Sequence, residues 1–464
     1  MKKVSAIASF IFAFTLFLSP FAFAAGSSSS STFYYKPLVT WTAATPDGTS
    51  PQGIPLCGSG GGKIVCYSPS FISKAYDFPS SLNGSGQTIL IVDAYGSPTI
   101  AADLATFDAY FGLPAPPSFT VFCGNGGCPA FTPGDYKHDV IGWGVETSLD
   151  VEWAHAMAPQ ADIVLVVASS SSGNAINDAE AAAIALYPGS IISQSFGIPE
   201  PYVHNNNAQV MQAHLNYIAA AAANDTVLAS AGDSGGSNGF GFTNALFPAS
   251  DPYVTGVGGT MGNPYNATGT LSPCAANMTC TSGLSTYLGP CTNPRLALPN
   301  CTPVGYGGEQ VWNEISFGAA TGGAPSILFT SVPGYQSGLG LTSRTTPDVA
   351  YNAAIDGGVL VKASFLSAAG YFVVGGTSAG SPQWAAIFAL VNQARAIASL
   401  GSIGFANPTL YGLTAGQKTN DFHDILLGNN MLGGVLPGFS AGAGYDKTTG
   451  WGTPVVANLT SDLS

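Results

Sequence analysis

Charge is what this chain has least of. Only 8% of its 464 residues are Asp, Glu, Lys or Arg, and 12 bases face 25 acids, a formal net charge of −13. So few cations exclude a nucleic-acid binder, whose partner's phosphates need a positive face. Few charges of either sign also leave little self-repulsion in acid, where carboxylates lose their charge and bases keep theirs. The composition therefore points to an acidic habitat, with Ser, Thr, Asn and Gly keeping the surface wet. Histidine is scarce too, at five residues. Internal repeats are absent. Glycine (59) and proline (32) are abundant but follow no period, which fits a packed, loop-rich globular protein.

Long apolar runs are missing except at the start. MKKVSAIASFIFAFTLFLSPFAFAAG has a basic Lys2–Lys3 end, an apolar core and an Ala22-Phe23-Ala24 cleavage site. Residues 1–24 read as a secretory signal peptide, and no other window is long enough to span a bilayer. The chain is expected to be exported, with no membrane association after cleavage. Its eight cysteines suit that compartment, and they fall in close pairs: Cys57/Cys66, Cys123/Cys128, Cys274/Cys280 and Cys291/Cys301. Local disulfides are the simplest connectivity; zinc fits poorly, since the spacings are irregular and no histidine lies close.

Residues 25–70 are rich in Ser, Gly and Pro and read as a leader or linker. From there apolar strands alternate with helices through residues 88–236, beginning with TILIVDAYG. Strands that are apolar throughout and separated by helices predict an α/β fold. Its mainly parallel central sheet is covered by helices on both faces. Polar residues at the carboxyl ends of such strands mark the site. Residues 262–310, rich in Asn, Thr, Pro and Cys, read as a disulfide-tied surface insertion. Asn266, Asn277 and Asn300 there lie in N-x-S/T sequons.

The stretch VVGGTSAGSPQWAA (373–386) joins a strand to a helix through small residues. A serine before a helix ordinarily caps it. The same turn also projects Ser378 as a nucleophile at the positive helix end, and Ser378 is expected to do both. Pro382 falls in the first helical turn, where its missing N–H costs nothing. The usual proton acceptor is histidine. None of His138, His155, His204, His214 and His423 sits in an H-G-T setting.

Carboxylates are the alternative. Glu146 and Asp150 lie four apart on one face of a predicted helix, among Ile141, Trp143, Val145, Leu149, Val151 and Trp153. Coupled carboxylates in apolar surroundings share a proton, and one pKa rises. Glu152 points to another face and reads as structural. Asp233 ends a strand in SAGDSGG, where a protonated acid can donate to a developing oxyanion; an Asx-turn is the plain alternative.

Together these motifs resemble the sedolisins, the serine-carboxyl peptidases, from about residue 70 to the end. The resemblance rests on E-x-x-x-L-D-V-E-W-A-H-A-x-A-P from Glu146, A-S-A-G-D-S-G from Ala229, and G-G-T-S-A-G-S-P from Gly375. The C-terminal H-D-I…G-Y-D-K-T-T-G-W-G-T-P completes it. It implies a subtilisin-like three-layer sandwich over 71–464. Ser378 would be the nucleophile and Glu146 its base and later acid. Asp150 would orient Glu146, and Asp233, with the Ser378 N–H, would stabilise the oxyanion. Such a carboxylate-based enzyme would be an acid-acting endopeptidase, a monomer working on protein or peptide substrates.

The resemblance also implies one structural Ca²⁺ held by Asp424 and Asp446 side chains and the carbonyls of Ile425, Gly442 and Gly444. A Gly-rich turn with structural aspartates is the plainer reading of those residues. Ser195 and Gly197, in SQSFG, would line bound peptide by β-augmentation; the family usually has Trp where this chain has Phe196. Family members generally carry a large prodomain. Residues 25–70 either do a reduced version of its work or the domain folds unaided. Asp93, in VDAYG, holds the place where subtilisin-like enzymes orient their histidine. Here it reads as structural or as a support behind the catalytic groups. A non-catalytic exported binder on this fold is the competing reading, disfavoured by the intact set of four. A neutral esterase lacks its G-x-S-x-G elbow.

Overall fold

The computed structural model describes residues 32–46, 56–59, 62–124, 127–204, 207–262, 306, 308–366 and 370–464. The predicted signal peptide, the three sequons and nearly all of the Cys-rich insertion lie outside them.

The central sheet runs Gln310–Val311, Thr255–Met261, Thr226–Ser230, Ile191–Gln194, Thr88–Ala94, Asp162–Ala168, Phe119–Phe122. Val349–Asn352 adds alongside Thr255–Met261, and every pairing is parallel except that of the Gln310–Val311 edge. The central strands are apolar throughout because both faces are covered. Ile89 and Ile91 point into one core with Leu149, Trp153, Trp384 and Phe388. Leu90 and Val92 point into the other with Ile176, Val210 and Tyr217. The first core lies under helices Val140–Met157 and Gly380–Ile397, the second under Gly173–Leu186 and Asn207–Ala222. This is the expected subtilisin-like three-layer α/β sandwich. Among the described residues no helix is long and apolar enough to cross a membrane.

The helix Val140–Met157 is buried on nearly all sides, which an amphipathic pattern would forbid. The reason is a second structure on its outer side. Strands Gly358–Lys362, Tyr371–Gly375, Thr40–Pro46, Leu56–Ser59 and Gly62–Tyr67 close into a small barrel, and Trp153 Nε1–H donates to Leu360 O across the join at 3.0 Å.

Three of those strands come from residues 40–67, which the sequence reading assigned to a leader or linker. The described part of that stretch is instead woven into the domain: Thr40–Pro46 pairs with Tyr371–Gly375 over five residues. Ser, Gly and Pro disguise it, since pairing with a distant strand leaves no local period. Of the cysteine pairs, Cys123–Cys128 is a disulfide and Cys66 is also disulfide-bonded. Cys274, Cys280, Cys291 and Cys301 lie outside the described residues.

Carboxylates without cations recur in the interior. Glu309 accepts hydrogen bonds from Tyr76 and Thr260 hydroxyls, each at 2.6 Å. Glu200 accepts from the Ile327 N–H at 2.6 Å, and Glu180 is fully buried. Burial raises all three, Glu180 to about 8.

Candidate active site

The sheet order reverses between Thr88–Ala94 and Ile191–Gln194: the chain first adds strands to one side, then crosses to the other. Side chains at the carboxyl ends of strands flanking such a switch converge on a crevice. Here they are Asp93 on Thr88–Ala94, Ser195 after Ile191–Gln194, and Asp233 after Thr226–Ser230.

Ser378 arrives from the barrel side. Strand Tyr371–Gly375 ends, Gly376 turns the chain at φ 114°, and one 3₁₀ turn, Thr377–Ala379, runs into the helix Gly380–Ile397. Gly376 must be glycine on two counts. Its φ strains any side chain, and a Cβ would sit 2.5 Å from both Asp233 Oδ2 and Leu38 O. Pro382 falls in the first turn of the helix, as expected. Ser378 does not cap that helix: neither the turn nor the helix has a side-chain cap, because the chain enters helically without a break. Its hydroxyl instead donates to Glu146 Oε2 at 2.9 Å, with Ser195 O at 3.2 Å as the other acceptor within reach.

Glu146 and Asp150 are one turn apart on Val140–Met157 and wholly buried. The Ser195 hydroxyl donates to Asp150 Oδ1 at 2.9 Å. Burial, then the charges of Asp150 and Asp93, push Glu146 well above its ordinary range; its bond from Ser378 pulls the other way. Burial and Asp93 do the same to Asp150, opposed by Ser195. Asp93 is itself lifted by burial to about 7, partly offset by Thr147. Three carboxyls therefore share one dry pocket, and like charges that close ionise one at a time.

Asp233 Oδ1 accepts the Thr377 N–H at 2.8 Å and the Thr377 hydroxyl at 2.7 Å. Oδ2 has no partner among the described residues and lies against Gly376, beside the Ser378 turn. Burial lifts Asp233 to about 7, opposed by the two Thr377 bonds. The structure thus brings Glu146, Asp150, Asp233 and Ser378 together. Sequence reasoning missed Thr377, whose place in G-G-T-S was the available signal, while Asp93, read as structural or as a support behind the catalytic groups, acts on both Glu146 and Asp150.

Ser195 was expected to line bound peptide. Its side chain is buried and turned to Asp150; only its carbonyl faces the crevice. Gly197, on the strand Phe196–Pro199, is buried, and Lys36 pairs with it. Glu152 is remote, accepting the Lys362 N–H at 2.9 Å, as a structural role requires.

The five residues implied for calcium come from two segments that meet. Asp424 Oδ2 accepts the Gly444 N–H at 2.8 Å and Asp446 Oδ2 accepts the Gly442 N–H at 3.0 Å. Burial, then the Asp446 charge, raises Asp424. Two carboxylates close enough that the charge of Asp446 raises Asp424 are oxygen donors of the kind a hard cation takes. Asp446 Oδ1 is also bound by the Thr448 and Thr449 N–H groups, so the turn has a framework of its own. Among the described residues no cluster of three or more His, Cys, Asp or Glu forms a metal site.

The sequence pattern of the Subtilase family matches residues 144–404. Kumamolisin of Bacillus sp. (strain MN-32) is 31% identical over 421 residues, covering 86% of this chain and 64% of its own. Sedolisin of Pseudomonas sp. (strain 101) is 27% identical, covering 85% and 61%. Tripeptidyl-peptidase 1 of Bos taurus is 28% identical, covering 83% and 62%. The chain thus spans between 61% and 64% of the length of these curated relatives. Among solved structures, Pseudomonas sedolisin, a serine-carboxyl proteinase complexed with two molecules of pseudo-iodotyrostatin, superposes with a TM-score of 0.66. At 24% identity it covers 86% of this chain and 98% of its own, and so speaks for the fold.

Proposed function

Since the chain belongs to the sedolisin family, within the subtilases, we propose that it is an exported, acid-acting endopeptidase that cleaves proteins through an acyl-enzyme on Ser378. The observation that carries this reading is the 2.9 Å hydrogen bond from the Ser378 hydroxyl to Glu146 Oε2, in a site with no histidine partner for that hydroxyl.

In the proposed reaction Ser378 Oγ attacks the peptide carbonyl carbon and its proton passes to Glu146. Asp150, bonded to Ser195, fixes Glu146 through their shared charge. The tetrahedral oxyanion forms beside Asp233, which is neutral below about 7 and so has a proton to donate. Collapse breaks the C–N bond as Glu146 returns the proton to the leaving amine, and water then hydrolyses the ester. The crowded carboxyls set the working range. The base needs one ionised group in the pocket of three, and the oxyanion acid needs its proton. The second condition fails as pH rises through about 7, where Asp233 loses its proton, and this sets the upper limit of the working range.

Asp424 and Asp446, with the carbonyls of Ile425, Gly442 and Gly444, would hold one Ca²⁺, which would bind the C-terminal turns together. The signal-like N-terminus supports export.

The test is an internally quenched peptide library digested from pH 2 to 8 by the wild type and by Ser378→Ala. Activity confined to acid and lost in Ser378→Ala is the expected result. Equal activity in both removes Ser378 as nucleophile, and a maximum near pH 8 removes the carboxylate mechanism.

A further inference from the structure

Asp233 has two carboxyl oxygens, and Thr377 takes hold of only one. Oδ1 accepts both the Thr377 N–H at 2.8 Å and the Thr377 hydroxyl at 2.7 Å. A carboxyl oxygen has two lone pairs in the plane of its group, so two donors fill it. The hydroxyl is committed to this role. Its own oxygen takes the Gly232 N–H at 3.1 Å, and among the described residues Oδ1 is the one acceptor for its hydrogen. A proton on Oδ1 would have to displace one of the two donors. Oδ2 meets no such competition. It is shielded from solvent, has no partner among the described residues, and lies against Gly376 beside the Ser378 turn.

The backbone on either side of this contact is tied down. Thr377 is wholly buried and opens the 3₁₀ turn that carries Ser378. Just before it, the Gly376 N–H donates to Ala353 O at 2.8 Å. Across the contact, Gly232 O accepts the Gly322 N–H at 2.6 Å and Asp233 O accepts the Ala320 N–H at 3.0 Å. Neither the turn nor the Asp233 backbone can follow a carboxyl that rotates. One side chain therefore clips the acid to the residue next to the nucleophile.

We infer that Thr377 is a positioning residue: by filling Oδ1 it keeps the Asp233 proton on Oδ2, the oxygen turned to the developing oxyanion. This rests on the peptidase reading above. In this role Thr377 touches neither the substrate nor the proton that Glu146 carries. It acts through Asp233, whose Oδ2–H is donated to the oxyanion and kept when the intermediate collapses. Without the hydroxyl the proton divides between two oxygens and the carboxyl turns about its Cβ–Cγ bond, so the donor is in place for only part of the time. The same two bonds also favour the ionised carboxyl, against the burial that raises it. Thr377 thus secures placement and shortens the alkaline reach. The other titratable groups facing Asp233 are Glu146, whose rise it adds to, with Asp150 on the same helix and Asp93 at the end of Thr88–Ala94. Lys36 borders the adjoining cavity and is exposed. The three carboxyls govern the acid limb, where the base must ionise, and Asp233 governs the alkaline one.

The full chain and its Thr377→Val and Thr377→Ser variants are assayed on a quenched peptide from pH 3 to 9, with melting curves at pH 4. Thr377→Val keeps the shape without the hydroxyl. Its kcat at pH 4 should fall about tenfold with KM unchanged. Its alkaline limb of kcat/KM should move about one pH unit higher, so that its deficit narrows above neutrality. Thr377→Ser should restore both the rate and the limb. Thr377→Ala runs beside the valine variant and decides the matter if valine does not melt cooperatively. A deficit that is the same at every pH, with the limb unmoved, overturns this inference and leaves the peptidase reading standing. So does a serine variant as slow as valine. A wild type that hydrolyses no peptide removes the peptidase reading and this inference with it.

Discussion

Replacing Asp233 by Asn separates the two things that residue is proposed to do, which are to hold a geometry and to carry a proton. The geometry should survive. An amide oxygen in place of Oδ1 keeps the bonds from the Thr377 N–H (2.8 Å) and hydroxyl (2.7 Å), and an NH₂ in place of Oδ2 points a permanent donor past Gly376. The titration should vanish. Wild-type Asp233 loses its proton as pH rises through about 7. Above that pH its donor fraction falls about tenfold per unit, to roughly 1% two units higher. At pH 4, Asp233→Asn should keep kcat/KM within about tenfold of wild type. Asp233→Ala, with no donor, should lose about 10²–10³, or some 3–4 kcal/mol of transition-state stabilisation. Toward pH 9 the ratio of Asn variant to wild type should climb. The assay is initial-rate kcat/KM on a quenched peptide from pH 3 to 9. Each sample is returned to pH 4 afterwards to show that the enzyme survived. An alkaline limb that is the same in wild type and Asp233→Asn refutes the argument, as does an Ala variant no slower than Asn at pH 4.

Glu146→Gln keeps the shape of the Ser378 partner but cannot take its proton, so kcat should fall about 10²–10⁴-fold while the melting temperature at pH 4 changes little; single-turnover kinetics check this. Glu180, raised by burial to about 8, binds a proton in the folded chain that the unfolded chain releases above its ordinary range. Its stabilisation is complete below about 4.5 and is lost as pH rises through about 8, at most about 5 kcal/mol. Glu180→Gln should therefore flatten the fall in melting temperature between pH 5 and 8, and an unchanged slope would count against it. Chelation of the wild type should lower its melting temperature, and calcium should restore it. Asp424→Asn, which loses one ligand on an exposed turn, should show a smaller response, with metal content after dialysis as the independent check.

The parallel sheet was legible because each central strand is buried on both faces and so is apolar from end to end, as in Ile89–Val92. The acid pair was legible because Glu146 and Asp150 are spaced for one helix face and the chain is otherwise so poor in charge. Residues 33–46 were not legible. Their partners, Ser171, Phe196–Gly197 and Tyr371–Gly375, are more than a hundred residues away, and no local period records such pairing. Ser195 was read as a peptide-lining residue because SQSFG lies where subtilisin-like folds run a strand beside bound peptide. Only coordinates divide its hydroxyl, given to Asp150, from its carbonyl, given to the crevice. The 3₁₀ entry that denies Ser378 a capping role is likewise a matter of backbone angles that Gly376 permits but does not announce.

The buried carboxyls have a consequence for where the chain matures. Asp93, Glu146, Asp150, Glu180, Glu200 and Glu309 enter the interior more readily protonated than charged. Folding near neutrality therefore draws protons out of the solvent, and acidification pulls the equilibrium toward the compact chain. On the proposed export, a newly made molecule in a neutral compartment would gain least from collapsing, and so would stay easiest to thread through a translocation pore. Arrival in acid would then finish the fold with the same protons that arm Asp233, making the compartment boundary itself the checkpoint.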